Sequence, residues 1–104
     1  MGAIIDGIEY VFPKRKITNE ALQSEFPEYD FQKFEKKVGI ASRFVVAKNE
    51  TALDLAVKAC EKLFTRDFDK SNIDYVLYCT QSPEYFLPTT ACILQNKLGL
   101  KKNI

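Results

Sequence analysis

Three cysteines, Cys60, Cys79 and Cys92, are the side chains of this sequence best suited to nucleophilic chemistry. The sequence has no histidine, so neither a Ser-His-Asp triad nor a Cys-His pair can be completed within it. No two of the cysteines have the CxxC spacing that is typical of metal or redox sites. We therefore predict no metal site, and we interpret the cysteines as buried, reduced thiols of a cytoplasmic protein.

Several basic side chains lie on a short helix that is predicted over residues 30–37 and that Gly39 ends. One face of this helix carries Lys33, Lys36 and Lys37. Two interpretations remain open for them. They form a solvated basic face, or they contact an anion.

An apolar cluster, Tyr85, Phe86 and Leu87, follows a predicted strand over residues 73–79. Ligands usually bind at the carboxyl ends of strands in open α/β sheets, and polar residues are the norm on loops. Two interpretations remain open. The cluster covers the edge of the sheet, or it lines a pocket or reaches a partner subunit.

The net charge and the apolar content restrict the class of protein. The 104-residue chain carries 15 Lys+Arg and 14 Asp+Glu, for a formal net charge of +1. Nucleic-acid-binding proteins usually have a basic excess, so we predict no nucleic-acid partner. No apolar run approaches the roughly 18 residues of a membrane span, and no signal-peptide pattern begins the chain. We predict a soluble globular protein without membrane insertion.

Local patterns predict the elements that position these residues. Alternation predicts a strand over residues 3–12, and Lys14, Arg15 and Lys16 are interpreted as a solvated turn. A helix capped by Thr18-Asn19, the helix over residues 30–37 and a short strand over residues 43–47 follow. The next helix begins with the capping box Thr51–Asp54 and buries an apolar stripe that includes Leu55 and Cys60. The strand over residues 73–79, which is predicted to be buried on both faces, and a helix between Pro88 and Gly99 complete the order.

This order of elements predicts an α/β fold with a mixed sheet and packed helices. Two or three strands cannot bury both faces of a parallel sheet between helices. We therefore expect residues 1–104 to be the N-terminal part of a larger domain that lacks its catalytic portion. The alternative is a sheet that is completed by pairing with another copy of the chain.

Short motifs in a fixed order identify a family resemblance. They are an opening strand that runs to Pro13, the Thr18-Asn19 pair before a helix, Gly39-Ile40 before Arg43, Asn49-Glu50-Thr51 before an Ala-rich helix, Ile73-Asp74 opening a strand that ends in Thr80, Ser82-Pro83-Glu84-Tyr85 continuing to Pro88-Thr89-Thr90-Ala91-Cys92, and Gln95 followed by Leu98-Gly99. In this order, the motifs resemble the N-terminal portion of β-ketoacyl-acyl-carrier-protein synthase III, of the thiolase superfamily.

The resemblance implies an acyltransferase that acts in fatty acid biosynthesis. Such enzymes move an acyl group from acyl-CoA to a cysteine thiolate. Malonyl-acyl carrier protein then loses CO2, and its carbanion attacks the thioester to give a 3-oxoacyl product. The resemblance places the catalytic Cys, His and Asn beyond Ile104, so we expect this chain alone to be inactive. It implies no cofactor beyond the thioester substrate, with acyl carrier protein, acyl-CoA and a second copy of the protein as partners.

The resemblance also implies roles for the lysines and the apolar cluster. Many relatives hold the CoA adenine with a Trp and an Arg, and these positions are Lys33 and Lys37 here. Lys37 keeps a positive charge that can meet a phosphate, whereas Lys33 cannot stack as Trp does, so a carrier-protein-bound donor is an alternative to CoA. Leu87 matches a position that, in the family, reaches across the dimer and lines the acyl pocket of the partner. The resemblance therefore implies that Tyr85, Phe86 and Leu87 together form a pocket or dimer loop.

Two other functions remain open from the sequence. The chain is a stand-alone homodimeric interaction domain without catalysis, or it belongs to a divergent synthase of a specialised lipid or polyketide pathway. The lysine at the Trp position motivates the second of these.

Overall fold

The computed structural model describes residues 1–104, which divide into two units. The two-strand unit is Phe12–Asn49, and the long-helix unit consists of Met1–Val11 and Glu50–Ile104. The elements, in chain order, are β1 (Arg15–Thr18), α1 (Asn19–Glu25), α2 (Phe31–Val38), β2 (Ser42–Val45), α3 (Ala52–Phe64), a 3-10 turn (Lys70–Asn72) and α4 (Thr90–Lys97).

In the two-strand unit, β1 and β2 pair antiparallel, with Arg15 opposite Val45. The predicted solvated turn at residues 14–16 is therefore wrong over most of its length, because β1 begins at Arg15. The rings of Phe12 and Phe44 stack with their centroids 5.1 Å apart. Aromatic packing thus lies beside the paired strands. The basic residues of β1 favoured a solvated turn in the sequence, so the strand pairing was not predicted there.

Local capping interactions mark the starts of α1 and α2, the two helices between these strands, and the end of α2. The hydroxyl of Thr18 accepts from the backbone N–H of Ala21 at 3.2 Å. The carboxylate of Asp30 accepts from the backbone N–H of Lys33 at 3.0 Å. Gly39 ends α2 with a φ of 82°, a left-handed conformation that glycine adopts without a steric penalty. The predicted helices at both positions are confirmed.

In the long-helix unit, α3 and α4 enclose a small core. Its buried members are Leu53, Leu94, Leu98 and Leu100. The predicted apolar stripe of α3 is confirmed at Cys60, which packs against the core. Its most buried residue, Leu53 at 3% exposure, lies outside the predicted stripe. The residues of α3 that pack against the core with partial burial are Ala56, Val57, Cys60 and Phe64.

The structure corrects two predicted strands, because residues 3–12 and residues 73–79 form no strand in it. A strand is stabilised by backbone hydrogen bonds to a neighbouring strand. Neither segment has such a neighbour, because the sheet of residues 1–104 pairs β1 with β2 alone. The second segment is also not buried on both faces. Val76 and Tyr78 pack against the core, whereas Tyr75 and Leu77 are 78% and 83% exposed.

Candidate substrate-binding surfaces

The two lysines that were predicted to bind substrate lie on one face of α2. Lys33 and Lys37 are four residues apart, which places side chains of a helix next to each other. Both are exposed, and neither forms an ion pair within the chain. Lys36 adds a third positive charge in the last turn of the helix. The surface can therefore offer two or three ammonium groups to a phosphate-bearing ligand.

Packing alone holds α2 weakly, since none of its residues is buried. Phe34 and Val38 are 39% and 51% exposed. The start of the helix is tied to α1 by Gln23. The side-chain carbonyl of Gln23 accepts from the backbone N–H of Phe31 at 3.1 Å, and its amide donates to the carbonyl of Tyr29 at 2.7 Å.

A buried asparagine ties the other half of α2 to the rest of the unit. Asn19 is 4% exposed. Its Nδ2 donates to Oε2 of Glu35 at 2.9 Å and to the carbonyl of Ile40 at 2.8 Å. Its Oδ1 accepts from Nη2 of Arg43 at 2.7 Å. The amide thus makes three of the four hydrogen bonds that an Asn side chain can form.

Sequence reasoning did not find this network. The sequence predicts Thr18-Asn19 as the start of a helix, and Arg43 as the start of a strand and a residue of the family resemblance. The sequence signal for the network was a polar residue, Asn19, at the first position of a helix, followed later in the chain by the acid Glu35 and by Arg43. These three lie far apart in sequence, and only the fold brings them together.

The apolar cluster lies in the long-helix unit, before α4. Tyr85, Phe86 and Leu87 are 62%, 99% and 82% exposed. Tyr85 and Phe86 help to line a surface depression of about 250 Å³, and Leu87 does not. The backbone N–H of Glu84 donates to the hydroxyl of Thr90 at 3.2 Å, which ties the loop to the first residue of α4. An apolar cluster this exposed is typical of a surface that contacts a ligand or another chain.

The cysteines differ in their surroundings, and the prediction that all three are buried is wrong. Cys60 packs partly buried against the core, and burial raises the pKa of its thiol. Cys79 and Cys92 are exposed. A raised pKa leaves less of the nucleophilic thiolate at neutral pH, so Cys60 is unsuited to act as a nucleophile.

The chain as a whole is similar to several solved structures. No protein-family model matches the chain. A solved 3-oxoacyl-(acyl-carrier-protein) synthase III is 39% identical over 95% of this chain and 30% of its own length, with a TM-score of 0.81. The β-ketoacyl-acyl-carrier-protein synthase III of Thermus thermophilus is 30% identical over 95% of this chain and 31% of its own, with a TM-score of 0.83. A 3-oxoacyl-(acyl-carrier protein) synthase from Burkholderia xenovorans LB400 is 28% identical over 92% of this chain and 29% of its own, with a TM-score of 0.77.

The chain is part of a ketoacyl synthase III-like fold. The predicted resemblance is thereby confirmed, and so is the predicted incomplete α/β fold of the thiolase type. The ketoacyl synthase III-like chain spans about 30% of the length of the synthases that it matches. None of its helices has both the length and the apolar character that a membrane crossing requires.

Proposed function

We propose that the full-length protein containing this chain condenses an acyl thioester starter with malonyl-acyl carrier protein in fatty acid biosynthesis. The observation that carries the proposal is the 39% identity to a 3-oxoacyl-(acyl-carrier-protein) synthase III, which extends over 95% of the chain. The reaction class is acyl transfer, and acyl carrier protein, acyl-CoA and a second copy of the protein are the partners.

The proposed reaction has two steps. A cysteine thiolate attacks the carbonyl carbon of the acyl thioester, and the thiol of the donor leaves. Malonyl-acyl carrier protein then loses CO2, its carbanion attacks the acyl-enzyme carbonyl, and the thiolate of the enzyme leaves as the 3-oxoacyl product forms. The proposal assigns the nucleophile, with its His and Asn partners, to sequence beyond Ile104.

The role proposed for this chain within the full-length protein is substrate binding. Lys37, with Lys33 beside it on α2, is proposed to meet the phosphates of CoA or of the carrier-protein arm. Their exposure and lack of ion pairs support this role. Leu87, with Tyr85 and Phe86, is proposed to form the loop that lines an acyl pocket across a dimer. The high exposure of all three supports a contact outside this chain.

Assay of the purified full-length protein tests the proposal. Acetyl-CoA, longer acyl-CoA and acyl-carrier-protein starters are each offered with malonyl-acyl carrier protein, and the carrier-protein products are weighed by mass spectrometry. We expect a 3-oxoacyl product and release of CO2, both lost when the nucleophilic cysteine is changed to alanine. Absence of a 3-oxoacyl product with every starter contradicts the proposal.

A second candidate is a divergent synthase of a specialised lipid or polyketide pathway. Lys33, at a position where the family resemblance implies Trp, favours it, because an ammonium group cannot stack on adenine as an indole does. The same assay separates the two. A strong preference for an acyl-carrier-protein starter over acetyl-CoA supports the divergent role, and efficient use of acetyl-CoA supports the fatty-acid role.

A further inference from the structure

We propose that Glu35 and Asn19 are positioning residues that orient α2, and that they thereby place Lys33 and Lys37 for phosphate binding. This inference rests on the proposed function of the two lysines. It adds residues to that site that do not touch the ligand.

Helix α2 needs contacts other than packing to hold it in place. The helix has eight residues, none of them buried. Isolated helices of this length are marginal in water, and the apolar side chains Phe34 and Val38 remain 39% and 51% exposed. Hydrogen bonds to the rest of the unit therefore help to fix its rotation about its own axis.

One such hydrogen bond is made in the middle of α2. Glu35 lies between Lys33 and Lys37 in sequence, and its Oε2 accepts from Nδ2 of Asn19 at 2.9 Å. Bonds at the ends of a helix, such as that from Phe31 to Gln23, fix where it begins. A bond to the side chain of Glu35, in the middle of the helix, fixes which face of the helix turns outward.

The hydrogen bond between Asn19 and Glu35 is held by a buried amide that lies between two charges. Asn19 is 4% exposed, so its amide cannot turn freely to water. Arg43 donates to its Oδ1 at 2.7 Å, and Glu35 accepts from its Nδ2. A cation thus lies at one end of the amide and an anion at the other, and each hydrogen bond strengthens its neighbour. Rotation of α2 breaks the bond to Glu35 and leaves a buried donor without that partner.

The test compares Glu35→Ala with Glu35→Gln in the full-length protein. Both variants remove the same negative charge from α2, so the electrostatic effect on the lysines is the same in both. Only Gln keeps an oxygen that can accept from Asn19. The side chain of Glu35 lies on an exposed helix, and thermal unfolding is measured on both variants to compare their folding. The probe is CoA, and its dissociation constant is measured by isothermal titration calorimetry.

We expect CoA to bind about two- to fivefold more weakly to Glu35→Ala than to Glu35→Gln, the range of a surface charge contact that is lost. Equal dissociation constants for the two variants overturn the inference, whatever their thermal stabilities. A third variant, Lys33→Ala/Lys37→Ala, tests the proposed site itself. If it binds CoA as tightly as the unmodified protein, the lysine site fails, and the inference fails with it. If it binds weakly while the Glu35 pair is equal, only the positioning role fails.

Discussion

Thr51 and Asp54 satisfy each other's backbone N–H at the start of α3. Oδ2 of Asp54 accepts from the backbone N–H of Thr51 at 2.9 Å, and Oγ1 of Thr51 accepts from the backbone N–H of Asp54 at 3.3 Å. These N–H groups have no partner within the helix. The hydrogen bond from the Thr51 backbone, and next that from its hydroxyl, hold the pKa of Asp54 below its ordinary value.

Replacement of Thr51 by alanine is predicted to lower the free energy of unfolding by about 1 kcal/mol, since the cap hydrogen bond is lost. Chemical denaturation measures the change. Thr89→Ala is the matched control, because Thr89 occupies the same position before α4 and makes no capping bond. An equal loss in the two variants contradicts the role assigned to the Thr51 cap.

The capping box also predicts a dependence of stability on pH. A carboxylate with a lowered pKa stabilises the folded state above its unfolded pKa and loses that effect as the pH falls through its folded pKa. We therefore expect Asp54→Ala to be less stable than the unmodified protein near neutral pH, and the difference to shrink as the solution is acidified below about pH 4. Denaturation at a series of pH values measures it, and a constant difference contradicts the prediction.

Gly39→Ala is predicted to destabilise the protein by about 1–2 kcal/mol, because a Cβ is disfavoured in the left-handed conformation. Gly39 has a φ of 82°, and an added Cβ would meet no atom within 4 Å, so the penalty comes from the backbone. Gly2→Ala is the control, since the space around Gly2 is equally open and its φ is not in the left-handed range. Denaturation of both variants measures the difference, and equal stabilities contradict the assignment.

Lys37→Ala in the full-length protein is predicted to raise KM for a CoA thioester about two- to fivefold, the range of one exposed charge contact. Added salt is expected to reduce the difference, because it screens exposed charges. Steady-state kinetics at two ionic strengths measure both effects. Lys48→Ala, which removes an exposed lysine without an ion pair from the same unit, should leave KM unchanged.

Leu87→Ala is predicted to shift the preference of the full-length protein towards longer acyl starters by about tenfold in kcat/KM, because a smaller wall enlarges the proposed pocket. The ratio of kcat/KM for long and short acyl donors measures the shift. Leu77→Ala is the control, since Leu77 is as exposed, at 83% against 82% for Leu87. The same shift in both variants, or none in Leu87→Ala, contradicts the pocket role.

Prediction from sequence succeeded where neighbouring residues decide the outcome. Asp30 and Gly39 bound α2 as the sequence predicted, because a cap and a left-handed glycine act within one turn. It failed at residues 73–79, where continuous apolar character predicted burial on both faces. Leu77 is exposed and Val76 packs against the core, since burial depends on which other elements reach each face.

The sequence by itself determined the starts and ends of the helices, the absence of an internal Cys-His pair and the family resemblance, because these follow from residue type and spacing. Only the tertiary structure decided that β1 pairs with β2 and that Asn19 joins Arg43 to Glu35. Those contacts link residues far apart in the chain, and no local pattern carries the distances on which hydrogen bonding and burial depend.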